Sequence, residues 1–163
     1  MDYTKYSTKS RPDWGRIISW FLVCFALTVT MMSCQAAHAD ELPIPVQTIV
    51  GECANCSDDG MVAVANVIRN RMALRGQTAE EVCLARLQFS FWNDRGWAKN
   101  FIKNASDLTV QRAWAAWQAS ATEDLTGGAD LYHADYVKPR WDWSRTVYMG
   151  KFGRHLFYRE IKA

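Results

Sequence analysis

Gly51-Glu52-Cys53-Ala54-Asn55-Cys56-Ser57-Asp58-Asp59-Gly60-Met61-Val62-Ala63-Val64-Ala65-Asn66-Val67-Ile68-Arg69-Asn70-Arg71 sets a single carboxylate just ahead of a strongly patterned helix. Apolar residues recur at 61, 64, 65, 68 and 72, the spacing of a helix with one buried face. Asp58 or Asp59 is placed to cap it, and Arg75-Gly76 offers a basic last turn and a glycine stop, so the apolar face should run to Leu74. A short helix from about Thr48 to Asn55 is expected before it, behind a linker at 40–47 that contains Pro43 and Pro45. Glu52 therefore falls at an element boundary, where active sites are often built.

Working outward, Thr78-Ala79-Glu80-Glu81 has the form of a capping box and opens a third helix to about Arg86. Gln88-Phe89-Ser90 reads as a turn or loop, as does Asn93-Asp94-Arg95-Gly96, with a helical turn near 98–103. Residues 109–121 form a firmer helix: Val110, Ala113, Trp114 and Trp117 share a face, and Asp107 or Thr109 can cap it. Beyond Thr126-Gly127-Gly128 the chain is rich in Tyr, Val, Trp and Phe, and residues 146–149 and 155–158 flank a glycine-bearing connection that predicts a hairpin. The expected class is α+β, mainly helical with a small C-terminal β-hairpin.

The chain has 163 residues and a net charge of +2, all of it contributed by Lys5, Lys9, Arg11 and Arg16 against Asp2 and Asp13. From Asp40 onward 15 basic and 15 acidic residues cancel, so there is no surplus for neutralising phosphates and nucleic acid is not an expected partner. No formal charge lies between Arg16 and Asp40, and residues 17–32 are mostly apolar. A basic start, an apolar stretch and Ala37-His38-Ala39 have the form of an export signal cleaved before Asp40. A retained membrane anchor through residues 17–39 and a lipid attachment at Cys34 are the alternatives. The expected organisation is an export segment at 1–39 and one catalytic domain at 40–163, a monomer, delivered to the periplasm or cell envelope. Such cleavage leaves Cys53, Cys56 and Cys83 in an oxidising compartment, and the bridge expected there joins Cys53 or Cys56 to Cys83.

Four blocks carry a family resemblance. A Glu, a Gly eight residues later and Ala63-Val64-Ala65-Asn66-Val67-Ile68-Arg69-Asn70-Arg71 resemble the SleB-type, spore-cortex-lytic cell-wall hydrolases. Leu87-Gln88-Phe89-Ser90-Phe91-Trp92-Asn93 resembles the family's Gln-Phe-Ser block, and Thr126-Gly127-Gly128-Ala129-Asp130-Leu131-Tyr132-His133 its Gly-Ala-x-x-Tyr-His block. Pro139-Arg140-Trp141 and Gly153-Arg154-His155-Leu156-Phe157-Tyr158 match its ending. Two positions depart: relatives usually follow the Glu with Ala, here Cys53, and many place a second Glu where this chain has Cys56. The resemblance implies a lysozyme-like, transglycosylase-like fold and action on peptidoglycan glycan strands. It also implies lytic transglycosylase chemistry, in which one glutamate protonates the leaving glycosidic oxygen and then deprotonates the muramic 6-hydroxyl, closing a 1,6-anhydro sugar.

Glu52 is the catalytic candidate. Such a carboxyl must hold its proton until substrate arrives, which a helix C-terminus and aromatic walls favour. A two-carboxylate glycosidase needs a second acid, and Asp58, Asp59, Asp94, Asp130, Asp135 and Asp142 are undistinguished candidates. Gln88 and Ser90 are short polar groups for binding N-acetyl groups or orienting Glu52, or else plain turn formers. Tyr132, Trp141 and Trp143 are candidates to line a sugar cleft, with core packing as the alternative. His133 fits a cleft hydrogen bond and His155 a structural place behind the cleft, if they are not ordinary packed histidines. No His-Glu-x-x-His or Cys-x-x-His spacing is present, and Cys56 with His155 matches no cysteine-nucleophile motif, so neither metal nor other cofactor is expected. The rival readings are an N-acetylmuramoyl-L-alanine amidase and a catalytically inactive wall-binding protein.

Overall fold

A computed structural model describes residues 42–161, which form a helical body followed by a three-stranded antiparallel sheet. The expected export segment lies outside the described residues; among those described, no helix is long and apolar enough to cross a membrane. Helix α1 spans Ile44–Cys53 and α2 Asp58–Arg75. Then come α3 (Ala79–Leu84), α4 (Arg95–Lys103) and α5 (Asp107–Ala119). The strands are β1 (Leu131–Ala134), β2 (Thr146–Phe152) and β3 (His155–Glu160).

Part of the expected linker is helix, because Pro43 precedes the first residue of α1 and Pro45 sits in its first turn. Backbone N–H groups have no intrahelical partner there, so a proline's missing donor costs nothing. Val46, Ile49, Val50 and Cys53 then form the buried stripe of α1. The cap of α2 is Ser57, whose Oγ accepts from the Gly60 N–H at 3.3 Å, rather than either aspartate; both aspartates lie in the first turn instead. Gly76 ends α2 in the left-handed conformation.

Helix α2 differs from the one-faced helix expected. Met61 to Ile68 are buried without a break, so its first half is surrounded, while Leu74 near its end is 43% exposed. Helices α1, α3 and α5 pack against it. Its buried polar side chains are tied down in turn: the Asn66 side chain donates to Glu123 O and accepts from Leu125 N, and Arg71 Nε donates to Asp130 O at 2.7 Å. Arg69 lies over the Trp117 ring, donating to Ser120 Oγ and Trp117 O. The Asn-Arg end of the helix thus holds the segment leading from α5 into the sheet.

The capping box at Thr78 forms as read. Helix α4 is longer than the turn expected, capped by Asp94, and α5 starts two residues earlier than anticipated, at Asp107, with Ser106 as its cap in place of Asp107 or Thr109. Strands β2 and β3 make the hairpin, with a bulge between Tyr148 and Gly150, and β1 adds to the other edge of β3. The register Tyr132↔Phe157 and Ala134↔His155 places those four residues on one face, and Leu131, His133, Leu156 and Tyr158 on the other. Phe157, fully buried, carries the first face into the helical core.

Candidate active site

Glu52 is the penultimate residue of α1, and two separate segments supply three donors to its carboxylate. The Phe91 N–H donates to Oε1 at 2.7 Å and Ser90 Oγ to the same oxygen at 3.2 Å; the Tyr132 hydroxyl donates to Oε2 at 2.9 Å. Ser90 and Phe91 belong to a 3-10 turn at Ser90–Asn93. That turn is fixed to α1 at two points in the turn of helix leading up to Glu52. Trp92 Nε1 donates to Thr48 Oγ1 at 2.9 Å, and the Phe91 ring lies against Gly51, where any Cβ would overlap it. Phe91 also packs edge-on against Trp92, Trp97 and Phe101.

Tyr132 comes from β1, stacked on Phe157 at 5.6 Å. Burial first, and then the neighbouring Glu52 carboxylate, push its phenol well above the ordinary tyrosine value. It therefore stays a proton donor to Glu52 through any working pH. His155 meets the Tyr132 ring edge-on at 5.3 Å, with Nδ1 3.9 Å from Cys56 Sγ. Burial lowers its pKa against the opposing pull of Glu52 and Asp135, which favours a neutral ring.

The candidates separate into two groups. Ser90, Tyr132 and His155 gather around Glu52, while Gln88 turns away, its Oε1 accepting from Arg75 and its carbonyl from Arg71. His133 lies on the opposite sheet face, in a cluster with Trp141, Trp143 and Tyr158, so the sheet stands between these rings and Glu52. Its Nδ1 meets the Ala134 carbonyl at 2.8 Å. The Phe91 amide, a partner of Glu52 that sequence reasoning did not find, is a backbone group and carries no residue signature. Gly51 and Trp92, which seat it, lie within motifs already singled out and were the available signal.

Most other acids have structural partners. Asp58 pairs with Arg112, Asp94 caps α4, Asp130 Oδ1 accepts from Glu160 N, and Asp142 accepts from Ser144. Asp135 is held by Lys151 and Arg154, which lower its pKa. None of these contacts brings a second carboxylate to Glu52.

The bridge expected to Cys83 is replaced by one between Cys53 and Cys56. Those two residues are not within one helix: α1 stops at Cys53 and a turn follows, bringing the Cα atoms to 5.0 Å. Cys83 is free and buried, its thiol pushed up to about 12 by burial. The Cys53 and Cys56 sulfurs and a His155 nitrogen lie within 4.8 Å of one another, the spacing of a metal-ligand set. With the sulfurs joined to each other, no thiolate is left there to ligate.

The described residues form a mainly helical, lysozyme-like α+β domain, and the chain belongs to the cell wall hydrolase family, whose model matches residues 55–158. Glu52 lies three residues before that match begins. Among solved structures, the chain is similar to the catalytic domain of the Bacillus cereus SleB protein, at 25% identity and a TM-score of 0.53, over 70% of this chain and 85% of that one. It is also similar in fold to the catalytic domain of the germination-specific lytic transglycosylase SleB from Bacillus anthracis, at 23% identity and a TM-score of 0.54, over 77% and 97% of the two chains. No curated protein matches it.

Proposed function

We propose that this protein is a peptidoglycan lytic transglycosylase in which Glu52 is the single acid and base. The carrying observation is the Glu52 carboxylate itself, fixed by donors from Ser90, Phe91 and Tyr132 with no second acid in contact among the described residues. A protonated Glu52 gives its proton to the oxygen between N-acetylmuramic acid and N-acetylglucosamine. The resulting carboxylate is stabilised by the three donors, whose hydrogen bonds strengthen as charge develops on it. It then takes the proton of the muramic 6-hydroxyl as that oxygen closes onto the anomeric carbon, so neither water nor a second carboxylate is required. Ser90, exposed beside Glu52, is positioned to meet substrate; Tyr132 orients the carboxylate, and His155 stands behind Tyr132.

On this reading the ligand is a glycan strand, and residues 40–163 are the catalytic domain of an enzyme exported to the envelope by residues 1–39. The test is mass spectrometry of the soluble products released from purified peptidoglycan. Muropeptides ending in 1,6-anhydro-muramic acid are expected. Reducing-end muramic acid would replace the mechanism by hydrolysis, free stem peptides would make the protein an amidase, and binding to sacculi without release would make it a wall-binding protein.

A further inference from the structure

Cys53 is the last residue of α1 and follows Glu52 directly, while Cys56 belongs to the turn leading into α2. The end of a helix is where it frays, since the final carbonyls lack intrahelical partners. Here Cys56 is anchored independently: its carbonyl accepts from Arg112 Nη2 at 2.7 Å, and Arg112 Nε pairs with Asp58 at 2.7 Å. The Cys53–Cys56 bond transmits that anchor to the helix end bearing Glu52. Space for it depends on Gly60 of α2, where a Cβ would stand 2.9 Å from Cys56 Cβ and 3.7 Å from Cys53 Sγ. A second route leads from Cys56 Sγ to His155 at 3.9 Å, from His155 to the Tyr132 ring, and from the Tyr132 hydroxyl to Glu52.

We propose that the Cys53–Cys56 disulfide, with His155 against it, is a positioning device for Glu52, so that turnover depends on the oxidation state of the bridge. This rests on the reading of Glu52 as acid and base. No hydrogen bond joins either sulfur or the His155 ring to the Glu52 carboxylate, so the device acts through backbone and through Tyr132 rather than in the chemistry. A dithiol reductant opens the bridge in two exchanges. Its thiolate attacks Cys56 Sγ, on the more exposed of the two residues, forming a mixed disulfide and releasing the Cys53 sulfur, which takes up a proton. The reagent's second thiolate then displaces Cys56, which is protonated in turn, and the reagent leaves as a cyclic disulfide after giving up two electrons. Cys83, buried and with its thiol pushed up to about 12, does not compete near neutral pH.

The experiment measures kcat and KM of the full-length chain on solubilised glycan strands, oxidised, after dithiothreitol, and after reoxidation. Peptide mapping confirms the state of the bridge, and circular dichroism confirms the fold. Reduction is expected to lower kcat by roughly ten- to a hundredfold, the usual consequence of a small misplacement of a catalytic group, with KM nearly unchanged and full recovery on reoxidation. The C53S/C56S double variant should show the low kcat with and without reductant. An unchanged kcat with the bridge open, a change confined to KM, or loss of the folded spectrum on reduction would each overturn the proposal, the last by making the bridge a staple of the fold. An oxidised chain that releases no product at all would overturn the functional reading and this proposal with it.

Discussion

A carboxylate that accepts hydrogen bonds from three donors on two segments makes specific demands on each residue around it. Glu52→Gln keeps the size of the side chain but removes the transferable proton, and activity on peptidoglycan should fall by about a hundred- to ten-thousandfold, the range for loss of a general acid-base. The thermal melt should be little changed, and a Glu52→Gln variant that still solubilised sacculi would remove Glu52 from the mechanism. Tyr132→Phe keeps the ring stacked on Phe157 and deletes only the hydroxyl. Losing a hydrogen bond to a charged group costs about 1.5–3 kcal/mol, so kcat should drop by roughly tenfold or more while KM holds. If KM changed instead, Tyr132 would be a substrate contact rather than an orienting one. The residue types around Glu52 were legible in the sequence because they fall in ordered blocks. Which of them share a space was not: adjacent residues of a strand face opposite ways, and only the register of β1 on β3 separates Tyr132 from His133.

At the scale of elements, the fit of the 3-10 turn onto α1 decides whether the Phe91 amide reaches Glu52. Gly51→Val would force the Phe91 ring off the helix and pull its N–H away from Oε1. Overpacking of this kind costs about 1–3 kcal/mol, and activity should suffer beyond the loss of stability, because the amide is one of the three donors. Denaturant unfolding beside a rate assay checks both, and a valine variant with wild-type kcat would show that the turn can move without consequence. The end of α2 at Gly76 and the capping box of α3 were readable because each depends on one local residue pattern. The start of α1 was hidden because prolines that mark linkers are equally at home in a first helical turn. Strand β1 was hidden because its four residues are defined by pairing with β3, twenty or more residues away, and the Cys53–Cys56 bridge because it requires α1 to stop at Cys53.

For the molecule as a whole, the sheet and the helices meet around His155, whose ring contacts Tyr132 and Phe157 and lies 3.9 Å from Cys56 Sγ. Its titration therefore reports on whether these parts stay packed together. Burial lowers its folded-state pKa, with the Glu52 and Asp135 charges opposing and His133 adding slightly to the shift, whereas in the unfolded chain it titrates near 6.5. As pH falls below that value the unfolded chain takes up a proton that the folded protein still refuses, so the equilibrium moves toward unfolding. The neutral-ring contribution is thus fully present above about 6.5 and is lost as pH descends through the lower folded value. Urea midpoints of the wild type should decline over this mildly acidic window, and His155→Gln, which cannot titrate, should remove that part of the decline even though lost packing lowers its midpoint at neutral pH. Parallel profiles for the two proteins would show that His155 titrates alike in both states and that other groups govern acid stability.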